Sequence, residues 1–228
     1  MPALVDPRNG PSFDLTPATV PGRTYVVASL PRTGSTLLCR ALWDTGQVGA
    51  PKEYLNPMQL RDWEVRFGSA FSRLRHRALT GPMVGLAGRG YWTPRRLAAH
   101  LARVRQRRTG ATGWFGLKLH WHHYQAWFER RGMPFGLVAP VRWLYITRED
   151  KAAQAVSWER AFQTGQWASY QSSRRRPSFR QGRLLSRLHE IHQMEANWES
   201  LFARQHVQPF RVTYESLTTD FDGSILGA

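Results

Sequence analysis

The stretch from Tyr25 to Leu42, YVVASLPRTGSTLLCRAL, constrains the fold more than any other part of the chain. A short apolar run enters a small polar turn, and Leu38, Ala41 and Leu42 then recur at helical spacing. The pattern predicts a buried strand over 24–30 and a helix over 35–45, with Gly46 placed to close the helix in a left-handed conformation. Between them, Pro31-Arg32-Thr33-Gly34-Ser35-Thr36 sits at a helix N-terminus, where backbone N–H groups and the helix dipole favour an anion. Gly34 lets the backbone come close, Ser35 and Thr36 add hydroxyls, and Arg32 adds a formal charge. The same residues also suit an ordinary capped helix start.

The rest of the chain repeats the alternation. Further strands are predicted over 114–120 (in GWFGLKLHW), 142–147 (in VRWLYITRED) and in PFRVTY. Helices are predicted over 58–79, 94–108, 122–131, 151–163 and 184–204. GPMVGLAGRG and the arginine-rich SSRRRPSFRQGR, residues 172–183, read as loops. Residues 1–23, rich in Pro and Gly, read as an extended lead-in, and 24–228 as one domain. Strands separated by helices imply an α/β fold: a parallel sheet in three layers, with helices on both faces.

Composition narrows the function. The net charge is +16, carried by 29 Arg and only three Lys, so the partner or substrate is anionic. There is one cysteine, Cys39, which excludes an intramolecular disulfide. No apolar run reaches the roughly 18 residues of a membrane span, and the N-terminus lacks a secretion leader. A cytoplasmic setting is therefore expected. His120, His122 and His123 cluster around Trp121, and HEIH at 189–192 is one residue short of the zinc-protease spacing, so no metal is expected. The pattern G-x-x-x-x-G-K-[ST] of nucleotide-triphosphate loops is absent, since no Lys follows Gly34. That weighs against a nucleotide or sugar kinase. A nucleic-acid-binding module would account for the charge, but no nucleic-acid motif is present. A homodimer is compatible with the sequence.

A second group lies after the third predicted strand. Arg148 stands at that strand's C-terminal end, where ligands bind in open parallel sheets, and Ser157 follows on the next helix. Together they suit a second phosphate; a surface arginine and a helix serine are the plainer alternative.

YVVASLPRTGSTLLCRAL…TGQVGAPKEYL, GLKLHW, ITREDKAAQAVSWERAFQTGQW and VTYESL resemble the bacterial trehalose 2-sulfotransferase family, and more distantly the nodulation-factor and lipopolysaccharide sulfotransferases. The resemblance runs over about 24–217. It implies a P-loop-like sulfotransferase fold and 3′-phosphoadenosine 5′-phosphosulfate (PAPS) as sulfuryl donor. Arg32, Thr33, Gly34, Ser35 and Thr36 would then hold the 5′-phosphosulfate, Arg148 and Ser157 the 3′-phosphate, and Glu53 would be the catalytic base beside the catalytic Arg32. Without the resemblance, Glu53 reads first as an arginine's ion-pair partner. Lys118, His120 and Trp167 are candidates for the acceptor, a carbohydrate or glycolipid hydroxyl; for Lys118 a structural ion pair is the alternative. The family carries an acid three residues before the base, where this chain has Ala50, so trehalose itself is not implied. The family also continues beyond the position where this sequence ends, so a shortened C-terminus is expected.

Overall fold

Three apolar runs and the short segment PFRVTY become four strands, and their order positions everything else. β1 (Arg23–Ser29) buries six of its seven residues and β2 (Trp114–His120) likewise, as expected of parallel strands covered on both faces. β3 (Arg142–Thr147) is buried through its centre, and β4 (Phe210–Thr213) pairs with it in parallel register, Leu144 opposite Phe210 and Ile146 opposite Val212. The sheet is parallel with strand order β2-β1-β3-β4. The chain therefore winds to one side of β1 and then returns to the other, which makes the C-terminal ends of β1 and β3 a switch point, the usual place for a ligand. The computed structural model describes residues 6–16, 22–67, 92–140, 142–168, 171–173, 175–221 and 223.

The chain divides into two compact units. One comprises Met1–Val26 and Cys39–Arg142, the other Val27–Leu38 and Trp143–Ala228. β1 and the helix after it, α1 (Ser35–Asp44), contribute residues to both.

In the first unit, α2 (Pro57–Phe67) and α3 (Pro94–Arg108) follow the strand–helix start. The remainder of the helix expected over 58–79, and the GPMVGLAGRG loop, lie outside the described residues. α3 has the predicted ends, because Thr93 caps the Arg96 N–H, Pro94 fills the first turn, and Leu97, Leu101 and Val104 form the buried stripe. Within the lead-in, Pro7–Asn9 and Pro11–Phe13 form two 3-10 turns. Buried polar groups hold them. Arg108, fully buried, donates to the carbonyls of Phe13 (2.6 Å), Arg8 (3.1 Å) and Gly10 (3.2 Å), while the Lys52 ammonium contacts Asp6 and Asn9, each at 2.8 Å.

The helix expected over 122–131 is different. A single α-turn, α4 (Trp121–Tyr124), opens into a π-turn over Gln125–Glu129, closed by Arg130 N–H donating to the Gln125 carbonyl at 2.8 Å. The wider turn buries Trp127 and Phe128 together, and the Trp127 indole donates to the Leu55 carbonyl at 2.7 Å.

In the second unit, α5 (Lys151–Thr164) is capped by Asp150 and ends at Gly165, whose φ of 70° is left-handed. It packs on α6 (Gln181–Arg204). α6 begins three residues before the predicted start at 184, its first turns supported by Arg183 and Arg187, which both pair with Glu159 of α5. A short helix, α7 (Tyr214–Thr219), follows β4 behind a capping box between Thr213 and Ser216. No helix among the described residues is long and apolar enough to cross a membrane.

Candidate active site

The turn after β1 is built from alternating backbone hands. Arg32 has φ 66° and Gly34 φ 77°. Successive residues of opposite hand point their N–H groups into one concavity, an anion nest, and here it leads directly into the N-terminus of α1. Left-handed backbone at a non-glycine residue is strained, and such strain concentrates at functional sites. The turn is fixed from within by the Thr33 hydroxyl, which donates to the Leu30 carbonyl at 3.0 Å, and from α5 by Gln154, which donates to the Pro31 carbonyl at 2.9 Å. Thr33 and Ser35 are buried; Thr36 is exposed.

Gly34 is required for a second reason. A Cβ there would lie 2.5 Å from Cδ2 of Tyr214, so the ring at the start of α7 closes over the turn. Tyr214 in turn stacks on Arg148, whose guanidinium lies 4.7 Å from the ring centre.

Guanidinium groups converge on this turn. Arg32 Nε donates to Ser157 Oγ at 2.9 Å, and its NH1 donates to the Trp167 carbonyl at 3.0 Å. Burial lowers the Arg32 pKa, and the charges of Arg148 and Arg160 lower it further. Arg148 Nε is buried without a hydrogen-bond partner among the described residues. The Glu215 carboxylate stands 4.0 Å from it but serves the start of α5, accepting from the N–H groups of Glu149 (2.9 Å) and Asp150 (3.3 Å). Burial raises the Glu215 pKa, yet those N–H groups and Arg148 outweigh it and hold the group below its usual range. Like charges gathered around an anion nest, one with an orphaned buried donor, fit a polyanionic ligand. Ser157, expected beside Arg148, is bonded to Arg32. Gln154, Tyr214 and Glu215 complete the arrangement, and none is among the residues the sequence singles out; VTYESL carries Tyr214 and Glu215, and Gln154 lies in KAAQAVS.

Glu53 belongs to the first unit. The loop before it runs parallel to β2 at Lys52 and Leu117, with Lys118 N–H donating to the Lys52 carbonyl at 2.9 Å. That register sets Glu53 beside Lys118 and His120 of β2. Its Oε1 lies 2.8 Å from Lys118 Nζ and 3.3 Å from His120 Nε2, and its Oε2 accepts from Asn56 at 2.8 Å. The side chain keeps 20% of its exposure, against 6% for Lys118. Burial pushes the Glu53 pKa up, but Lys118 and His120 prevail and hold the carboxyl well below its ordinary value. It is an anion throughout the neutral range.

His120 and His122 stack at 5.5 Å, with His123 edge-on to His122 at 4.1 Å. Burial holds His123 well below the usual histidine pKa. Among the described residues no group of three or more His, Cys, Asp or Glu is arranged to hold a metal ion. Cys39 is buried and its thiol is pushed up to about 12, so it packs as a small apolar residue. Trp167 remains 45% exposed.

Comparisons with known proteins agree on one family. Residues 24–224 match the family model described as Stf0 sulphotransferase. A trehalose 2-sulfotransferase of Mycolicibacterium smegmatis is 28% identical over 231 residues, covering 90% of this chain and 83% of its own. A trehalose 2-sulfotransferase of Mycobacterium tuberculosis is 26% identical over 220 residues, covering 86% of this chain and 78% of its own.

Proposed function

Since the chain belongs to the Stf0 sulphotransferase family, we propose that it transfers a sulfuryl group from PAPS to a sugar hydroxyl in the cytoplasm, without a metal. The observation that carries the donor assignment is the left-handed turn at Arg32 and Gly34 with Arg148 beside it across the Tyr214 ring, its Nε buried without a hydrogen-bond partner among the described residues. PAPS carries about four negative charges, and a cationic, partly buried site holds such a ligand strongly.

When bound, the donor supplies the sulfuryl group and leaves as adenosine 3′,5′-bisphosphate. The turn N–H groups of 32–36 and the Arg32 guanidinium hold the 5′-phosphosulfate and stabilise the charge that grows on the leaving phosphate. Ser157 fixes the Arg32 guanidinium through the 2.9 Å bond, and Arg148 binds the 3′-phosphate. Thr33 and Gln154 keep the turn rigid, so little reorganisation accompanies the reaction.

Glu53 accepts the proton of the acceptor hydroxyl. A carboxylate paired this strongly is a weak base before reaction. Proton transfer becomes favourable as the hydroxyl oxygen bonds to sulfur and its proton turns acidic. Lys118 and His120 keep Glu53 ionised and fix its orientation. The acceptor is a carbohydrate or glycolipid. Ala50 is fully buried and offers a disaccharide neither charge nor surface, so trehalose is one sugar among several to be tested.

The test is transfer of labelled sulfuryl from PAPS to trehalose and to a panel of glycans and glycolipids, by the wild type and by Glu53→Gln. The variant should lose about 10²-fold or more in kcat and keep its affinity for adenosine 3′,5′-bisphosphate. Full turnover by Glu53→Gln would remove it as the base, and no transfer to any sugar by the wild type would overturn the reaction.

A further inference from the structure

We propose that the exposed edge of the α5–α6 pair, with the arginine-rich loop between these helices, docks the protein on an anionic lipid surface. The inference does not depend on sulfuryl transfer. It starts from charge: the 30 residues between Glu159 and Glu190 include seven Arg and no acid. The two flanking acids are engaged by Arg183 and Arg187, Glu159 at 3.3 and 3.2 Å and Glu190 at 2.9 Å from Arg187. Arg175, Arg176 and Arg180 are exposed.

Apolar side chains of the same segment are exposed. Phe179 is 81% exposed, Phe162 59% and Leu185 57%. Phe179 is held outward by its neighbours. Ser178 N–H donates to Gln163 Oε1 at 2.7 Å, and Gln163 Nε2 donates back to the Ser178 carbonyl at 3.0 Å. This two-way clamp ties the loop to α5 beside Phe162. A free solvated loop would leave the phenyl ring able to fold inward; here the backbone next to it is fixed.

Arginines alone would serve a nucleic acid. Exposed Phe and Leu side chains among them are costly in water and are satisfied at the boundary between lipid headgroups and acyl chains, where an aromatic ring inserts and guanidinium groups meet lipid phosphates. An anionic bilayer matches both features at once.

The experiment is co-sedimentation of the full chain with vesicles of phosphatidylcholine alone and of phosphatidylcholine mixed with phosphatidylglycerol. Because the whole protein is basic, the controls decide it. Arg175→Gln with Arg176→Gln should weaken binding to the mixed vesicles by about tenfold or more. Arg95→Gln with Arg103→Gln, an equal charge change on exposed positions of α3, should have a much smaller effect. Phe179→Ser, which leaves the charge unchanged, should weaken binding about fivefold. Equal losses from the two arginine pairs, or no effect of Phe179→Ser, would overturn the proposal in favour of diffuse charge attraction. Loss of self-association in Phe179→Ser by sedimentation velocity, with vesicle binding intact, would assign the surface to a second copy of the chain instead.

Discussion

Arg32 holds a backbone conformation that costs an L-residue roughly 1–2 kcal/mol, and its side chain is bonded to Ser157 and Trp167. Two residues on, Gly34 combines φ 77° with a ring where its Cβ would be. Gly34→Ala should therefore displace Tyr214, lower stability by about 1–3 kcal/mol and weaken donor binding. Calorimetric unfolding and a bisphosphate titration check this, and an unchanged variant would show that the turn tolerates other geometries. Arg148→Ala should behave differently. Its buried Nε has no hydrogen-bond partner among the described residues, so the fold loses the stacking on Tyr214 and the 4.0 Å contact with Glu215 but no hydrogen bond of Nε, whereas bisphosphate affinity should fall by about 1.5–3 kcal/mol, or about 10- to 150-fold. Unchanged affinity would take Arg148 out of the donor site. At this scale the turn residues and Arg148 were legible in the sequence, because their neighbours in the chain place them at strand ends. The Ser157–Arg32 bond, the closure by Tyr214 and the Glu53–Lys118–His120 group were not. They join residues far apart in sequence, and no local periodicity encodes which cation faces which acid.

Among the elements, β1, β2, β3 and α3 announced themselves because buried parallel strands read as continuous apolar runs and α3 carries its own start signals. The π-turn after β2 and the early start of α6 escaped, since one is set by burial of Trp127 and Phe128 and the other by ion pairs to α5. α3 also carries a pH dependence. His100 is 2% exposed, contacts the Tyr54 carbonyl through Nε2 at 3.0 Å, and meets Trp63 and Trp92 edge-on. Burial lowers its pKa from 6.5 to about 4, against the opposing hydrogen bond to Tyr54 and the charge of Glu64. Between those values the unfolded chain binds a proton that the folded chain refuses, so stability falls as pH drops from 6.5 towards 4. The loss is on the order of 3 kcal/mol. In His100→Gln that share should disappear, flattening melting temperature against pH over this window; an unaltered slope would assign the acid sensitivity elsewhere.

For the whole molecule, a net charge of +16 draws in any polyanion, and charge alone does not separate a sulfuryl donor from a nucleoside triphosphate or DNA. In the proposed function, discrimination rests on the second unit, where the turn, Arg32 and Arg148 lie at the C-terminal ends of β1 and β3. Long-range attraction should weaken with salt for every polyanion, while recognition of the 3′-phosphate should persist when the charges are screened. The most direct measurement is calorimetric titration with adenosine 3′,5′-bisphosphate beside ATP–magnesium and a short DNA duplex, at low and at physiological salt. The account predicts saturable 1:1 binding of the bisphosphate that survives physiological salt and exceeds that of ATP–magnesium, with duplex binding falling steeply as salt rises. Equal affinity for the bisphosphate and ATP–magnesium, or none for the bisphosphate, would contradict it.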